Sequence, residues 1–294
     1  MQPNEFESHF LVNKNLLIKI YIFVNNKKYN FFIRYLVKIL LNRIAFGLLK
    51  SGKEINTSGS YKGKPFRLRS LNSQFHSIYF TEYKDNYEPE VNAIINQHLQ
   101  ENDTFVDIGS NWGHHSINAA INKKATVYSY EPNPYVFNDL KKIKEDLDIE
   151  NLNIFNIGLG QFSSQINLTQ NHFESGRVSI NANDPFLRFP EKILNILTLH
   201  MPIKWKANIS RLDDIYKGPK ISLMKIDIEE FEIECLKGCK QILKTQKPKI
   251  ILEVDSNNYK DLDEFLSQYG YKIYQVKSID KHFHLLEINK PIDE

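Results

Sequence analysis

From Thr104 onward the chain repeats a strand-like apolar run followed by a helical pattern, and this rhythm constrains the fold more than any other feature. "TFVDIG" (104–109) reads as a strand and 112–122 as a helix. "ATVYSYEP" (125–132) is a strand, "PYVFNDLKKIKEDL" (134–147) a helix, and "NLNIFNIGLG" (151–160) a strand. After a break the pattern resumes with a strand inside "KISLMKIDIEE" (220–230). Phe231, Cys235, Leu236, Cys239, Ile242 and Leu243 then make one helical face, and "KPKIILEVD" (247–255) is a strand. "YKIYQV" and "FHLLEI" read as a terminal hairpin. Alternating strands and helices predict an α/β fold, a mostly parallel sheet with helices on both faces.

The rhythm fails from 161 to 207. "SSQINLTQNHFESGRVSINAND" suggests hairpins, and "PFLRFPEKILNILTLHMPIKW" a partly helical insert on the side where strands end and substrate would bind. Before Thr104 the chain has another character. Residues 11–50 read as helical, with Lys27, Asn30, Arg34 and Lys38 making a basic stripe on a broad apolar cylinder. "KSGKEINTSGSYKGKP" (50–65) reads as a linker, and residues 65–81 alternate loosely as strands do. The expected organisation is therefore a helical basic segment over 1–60 and one larger domain over 61–294.

Charge follows the same division. Residues 1–60 hold nine Lys or Arg against three Glu, a net of +6, so with +3 for the whole chain residues 61–294 sum to −3. The larger domain thus gives no electrostatic case for nucleic acid. No apolar stretch reaches spanning length, because Arg34, Lys38 and Arg43 interrupt the best candidate, 29–50. Nothing near Met1 reads as a secretory signal. Cys235 and Cys239, four apart on one helical face, suit buried free thiols in a reduced, cytoplasmic setting. The basic segment has two readings: peripheral contact with the inner membrane face, or packing against protein, including a homo-oligomer.

In a parallel sheet a ligand sits where strands end and helices begin, and "TFVDIGSNWGHHSINAA" is such a crossing. Gly109 and Gly113 let backbone come close to a ligand. The loop lacks the third glycine of the dinucleotide fingerprint, which argues against a pyrophosphate cradle. Asp107 at the strand end suits a cationic ligand, and Glu131 at the next strand end suits ribose hydroxyls. A nucleoside bearing positive charge, such as S-adenosylmethionine, meets both requirements.

These motifs, in this order, resemble the FkbM-type family of S-adenosylmethionine-dependent methyltransferases: "YEPE" (87–90), "FVDIGSNWG" (105–113), "YEPNPYVFNDL" (130–140), "NIGLG" (156–160), "ISRLDDI" (209–215), "MKIDIEEFEIECLKG" (224–238) and "PKIILEVD" (248–255). The resemblance covers roughly 82–255. It implies a class I methyltransferase (Rossmann-like) fold, a seven-stranded sheet whose last hairpin includes one antiparallel strand. It places Asp107, Gly109, Asn111 and Gly113 around the methionine part of the cofactor, Glu131 at the ribose, and Gly158 near the adenine, with Ser110 and Pro132 also cofactor-binding. Glu88 and Asp227 join the cofactor set. It also implies O-methylation, with a sugar hydroxyl of a glycan or glycolipid precursor as acceptor. A small-molecule natural product is the alternative acceptor, and a non-catalytic scaffold the alternative function. Two positions depart from the family: Glu230 stands where a glycine is usual, and His114 and His115 stand where aromatic residues are common.

A sugar hydroxyl is a weak nucleophile and needs a partner for its proton. Asp227, Glu229 and His114 are the candidate bases. His114 and His115 equally suit packing or capping at a helix start, and Lys225 suits an ion pair with Asp227. Asp227, Glu229, Glu253 and Asp255 offer oxygens to a divalent metal, but orienting hydroxyls or capping is the favoured use, so no metal site is assigned.

Overall fold

The computed structural model describes residues 10–12, 56–69, 87–170, 203–228, 231–253, 258–275 and 283–288, with isolated helical positions at 16, 19, 20, 33, 36, 37 and 40. The chain divides into two compact units. The first comprises 1–87, 145–147 and 167–206; the second comprises 88–144, 148–166 and 207–294.

Within the first unit, strands β1 (Phe10–Val12), β2 (Asn56–Tyr61) and β3 (Lys64–Arg69) form an antiparallel sheet in that order. Residues 10–12 are therefore strand where a helix was expected. The expected linker 50–65 instead carries a hairpin. Lys62 and Gly63 connect β2 to β3 with φ of 49° and 80°, the left-handed pair that a two-residue turn needs to match strand twist. Tyr61, Phe66 and Leu68 are buried, so apolar burial fixes the register that the polar, glycine-containing composition conceals. The boundary expected at residue 60 falls inside β2. In the same unit Arg67 grips the Asp146 carboxylate, with Nη2 2.6 Å from Oδ1 and Nε 3.0 Å from Oδ2.

The second unit holds the parallel sheet. Its elements are α1 (Pro89–His98), β4 (Thr104–Ile108), α2 (His114–Asn122), β5 (Thr126–Tyr130), α3 (Pro134–Leu147, whose last three residues join the first unit), β6 (Leu152–Phe155) and β7 (Gly158–Leu159). Then come β8 (Ser164–Gln170) and β9 (Ile203–Ser210), of which 167–170 and 203–206 belong to the first unit, and α4 (Leu212–Ile215), β10 (Leu223–Ile226), α5 (Glu232–Lys237), α6 (Lys240–Thr245), β11 (Lys249–Glu253), α7 (Tyr259–Ser267), β12 (Tyr271–Gln275) and β13 (Phe283–Ile288). Five strands lie parallel in the order β11-β10-β4-β5-β6. Beyond β11 the sheet continues through antiparallel β13 to β12. A separate small sheet has the order β7-β9-β8. Of the insert expected over 161–207, residues 171–202 lie outside the described residues.

Every residue of β4 and β10 is buried, as strands covered on both faces must be. The chain passes from β4 outward to β5 and β6, then returns to lay β10 on the other side of β4. Strand order reverses between β4 and β10, so their carboxyl ends open onto the crevice where ligands bind in such sheets. Pairing sets Lys225 beside Asp107 and Ile226 beside Ile108.

Candidate functional site

The loop after β4 is built as a cradle. Gly109 and Gly113 have φ of 76° and 90°, and Asn111 joins them in the left-handed region at 53°. The Gly109 and Ser110 amides both donate to the Tyr130 carbonyl, at 3.0 and 3.2 Å, which ties the loop to the end of β5. On the other side the Asp227 amide donates to the Ile108 carbonyl at 3.1 Å. A Cβ on Gly109 would stand 1.9 Å from the Asp227 carbonyl oxygen, so only glycine fits. The Asn111 side chain accepts the Trp112 amide at 2.8 Å and holds the turn.

Asp107, Ser110 and Glu131 converge on this loop. Asp107 Oδ2 accepts the Ser116 hydroxyl at 2.5 Å, and that hydroxyl lies 2.6 Å from Ser129. Asp107 Oδ1 and Ser110 Oγ are buried with no hydrogen-bond partner among the described residues. Buried polar atoms are rarely left so, and these two fit a ligand that supplies the missing bonds. Glu131 accepts the Asn111 amide at 2.9 Å and the Asn133 amide at 2.8 Å, bracing the loops after β4 and β5 together. Burial raises its pKa to about 7, against the two amide bonds that lower it; Asp107 and Asp227 push it up further. The residue expected at the ribose thus braces two loops. Pro132 is half-buried beside Gly158, where a Cβ would come within 2.5 Å of Ile209 and 3.4 Å of Pro132. Packing explains that glycine.

The far wall is a cluster of acids around one lysine. Lys225, 2% exposed, donates to Asp227 Oδ2 at 2.8 Å. Burial pulls the Lys225 pKa down, but Asp227, Asp107 and Glu88 together raise it above its usual value. Burial would raise Asp227; the Lys225 charge and the hydrogen bonds from Glu253 and Lys225 outweigh it and hold the carboxylate below its usual range. Three acidic side chains face one cation, which favours a ligand carrying positive charge.

The two histidines complete this wall, buried at 4% exposure each. His115 Nε2 lies 2.7 Å from Glu88 Oε2, and its Nδ1 3.2 Å from Asn92 Oδ1. Burial, then Lys225, lowers His115 to about 3. In the Glu88 contact Nε2–H donates to the carboxylate. His114 Nε2 faces the side-chain amides of Asn118 at 3.2 Å and Asn92 at 3.4 Å, and the ring stands edge-on to Trp112. Burial, then His115 and Lys225, hold His114 well below its usual value.

Of the residues expected at the site, Asp107, Gly109, Ser110, Asn111, Gly113, Glu131 and Asp227 lie at the ends of β4, β5 and β10 or in the loops that follow, and Glu88 and His114 lie at the starts of α1 and α2; Gly158 lies in β7 of the small sheet, packed against Pro132 and Ile209. Glu229 and Asp255 lie outside the described residues. Among the described residues no group of three or more His, Cys, Asp or Glu could hold a metal ion. The sequence reading missed Asn92, Asn118, Ser116 and Ser129. Asn92 follows Glu88 by one helical turn, and Asn118 follows His114 likewise; that four-residue spacing was the available signal.

Comparison with known proteins gives the same chemistry a context. The profile described as the methyltransferase FkbM domain matches residues 107–273. The hexuronic acid methyltransferase AglP of Haloferax volcanii is 26% identical over 182 residues, covering 62% of this chain and 68% of that protein. The crystal structure of methyltransferase FkbM from Methylobacillus flagellatus KT is similar at TM-score 0.49 and 16% identity. It is covered over 52% of its length by 72% of this chain, which thus spans about half of that protein. M. jannaschii TYW2 in complex with AdoMet is similar at TM-score 0.38 and 13% identity, over 80% of this chain and 85% of that one.

Proposed function

Because this chain belongs to the FkbM family of methyltransferases and uses S-adenosylmethionine, we propose that it transfers the methyl group to a hydroxyl of a sugar in a glycan or glycolipid precursor. The observation that carries the chemistry is the Lys225–Asp227 pair, 2.8 Å apart at the end of β10, against the loop that follows Asp107. The sugar is supported by the relative named as a hexuronic acid methyltransferase.

When bound, the cofactor supplies a methyl group activated on a sulfonium. The protein's residues do the rest. Asp107 Oδ1 and Ser110 Oγ take up bonds from the cofactor, and the acids around Lys225 offset its positive charge. Glu131 accepts from the ribose while keeping both loops in place. Asp227, ionised and fixed by Lys225, accepts the acceptor's O–H and so aims the oxygen lone pair. Transfer would break the methyl–sulfur bond, its electron pair staying on sulfur, and would leave the acceptor oxygen positively charged and strongly acidic. A carboxylate of low basicity then suffices to take the proton and later release it to water. His114 is a weaker choice of base, since its site opposes protonation and its Nε2 is engaged by Asn92 and Asn118.

The test is incubation with labelled S-adenosylmethionine and a glycan or lipid-linked glycan extract, with the methylated product located by mass spectrometry. Asp227→Asn should retain cofactor binding and lose transfer. Label appearing on a non-carbohydrate small molecule would replace the sugar reading.

A further inference from the structure

We propose that the segment spanning residues 16–40 binds anionic lipid surfaces through an exposed apolar face. Among the described residues, four of the five most exposed large apolar side chains lie in this short stretch: Leu16 at 72%, Leu40 at 59%, Ile33 at 53% and Leu36 at 52%. Positions 33, 36 and 40 are helical and three and four residues apart, so their side chains share one face, with Val37 half-buried beside them. A contiguous apolar stripe held in water is unfavourable and calls for a covering surface.

Charge selects the cover. Residues 11–50 contain eight basic residues, Lys14, Lys19, Lys27, Lys28, Arg34, Lys38, Arg43 and Lys50, and no acidic residue at all. The other 254 residues therefore sum to −5, since the chain is +3. An ordinary solvated helix mixes signs, because opposite charges support one another along its length. A second copy seated on this face would bring cation against cation, with no acid in the segment to answer it. A lipid headgroup layer of negative charge satisfies the cations while its acyl boundary takes the leucines, and the two attractions add. Among the described residues no helix is long and apolar enough to cross a membrane, so the contact is interfacial. This inference goes beyond methyl transfer and stands or falls without it.

The test uses the full chain with two kinds of vesicle, phosphatidylcholine alone and phosphatidylcholine mixed with phosphatidylglycerol. Co-sedimentation with the mixed vesicles, weakened by added salt, is expected, with little on the neutral ones. The double variant L36D/L40D should lower vesicle affinity about tenfold or more, and R34Q/K38Q should reduce the salt dependence. S-adenosylmethionine affinity, measured on the same samples, should stay at the parent value in both variants, which shows that they fold. Failure to bind mixed vesicles, equal binding to both kinds, or binding untouched by the aspartates overturns the proposal. So does a dimer that L36D/L40D converts to monomer without any vesicle binding; the face would then be covered by a second copy.

Discussion

Glu88 reaches His115 from a backbone conformation that its own sequence opposes: φ is 45° and ψ 62°, the left-handed region, immediately before Pro89, while Oε2 stands 2.7 Å from the imidazole Nε2. A residue before proline is driven toward extended geometry, and left-handed backbone costs a non-glycine residue about 1–2 kcal/mol. The hydrogen bond and the burial of the pair hold it there. Glu88→Ala keeps the strain and strands the His115 N–H, which should destabilise by about 1–3 kcal/mol. Glu88→Gly also loses the bond but relieves the strain, so it should be about 1 kcal/mol more stable than the alanine variant in urea. Equal stability of the two would show that the backbone there is unstrained.

Cofactor binding should report Asp107 and Glu131 separately. Asp107→Ala removes the buried acceptor and should weaken S-adenosylmethionine by about 2 kcal/mol or more, roughly thirtyfold, by calorimetry. Glu131, with its pKa at about 7, is part protonated near neutrality and offers fewer lone pairs in that form. Affinity should therefore rise as pH climbs through about 7, with proton release on binding. Glu131→Gln should flatten that dependence, and a pH-dependent affinity surviving in the variant would assign it to another group.

Stability without cofactor should carry three opposing protonations. An unfolded histidine takes up a proton below about pH 6.5, while folded His115 resists until about 3 and His114 until well below its usual value. Each thus makes stability rise with pH, by about 1.4 kcal/mol per unit, up to about pH 6.5. Glu131 acts the other way: from about 4.5 to about 7 the folded form holds a proton that the unfolded form has lost, so rising pH destabilises. Between about 4.5 and 6.5 Glu131 offsets the His115 slope, leaving the rise that His114 contributes. In Glu131→Gln the His115 slope should reappear and steepen the rise by about 1.4 kcal/mol per unit, and urea titrations across that range measure it directly.

Gly109→Ala places a methyl group 1.9 Å from the Asp227 carbonyl oxygen. Backbone on both sides must move, so a loss of about 3 kcal/mol or more is expected, together with cofactor binding. Thermal unfolding with and without S-adenosylmethionine checks both. A variant of parent stability would mean that the two loops are not in backbone contact.

The parallel core and the glycine loop after β4 were legible because both rest on local patterns. Buried strands read as short apolar runs, and a strand end followed by a tight glycine turn marks a ligand crossing. The hairpin at 56–69 was not legible: its core side chains Tyr61, Phe66 and Leu68 are few and sit among Gly, Ser and Lys, so composition imitated a linker. Nor was the acid–histidine wall. Glu88, His115 and Lys225 come from three elements far apart in sequence and meet only once α1 packs against α2. Glu131 was placed correctly at a strand end, but its bracing of two backbone amides depends on loop geometry that no residue type announces.

The pairing of Lys225 with Asp107 also bears on how the protein is made. The two stand side by side, yet 225 − 107 = 118 residues of synthesis separate them. At roughly 5–20 residues per second, β4 waits roughly 6–24 s on the ribosome before β10 arrives. In that interval one edge of the future central strand has β5 and the other has nothing, leaving apolar side chains and unpaired amides open to other nascent chains. Slowing translation after β6 should therefore lengthen the exposure and increase aggregates built on residues 104–130, and speeding it should reduce them.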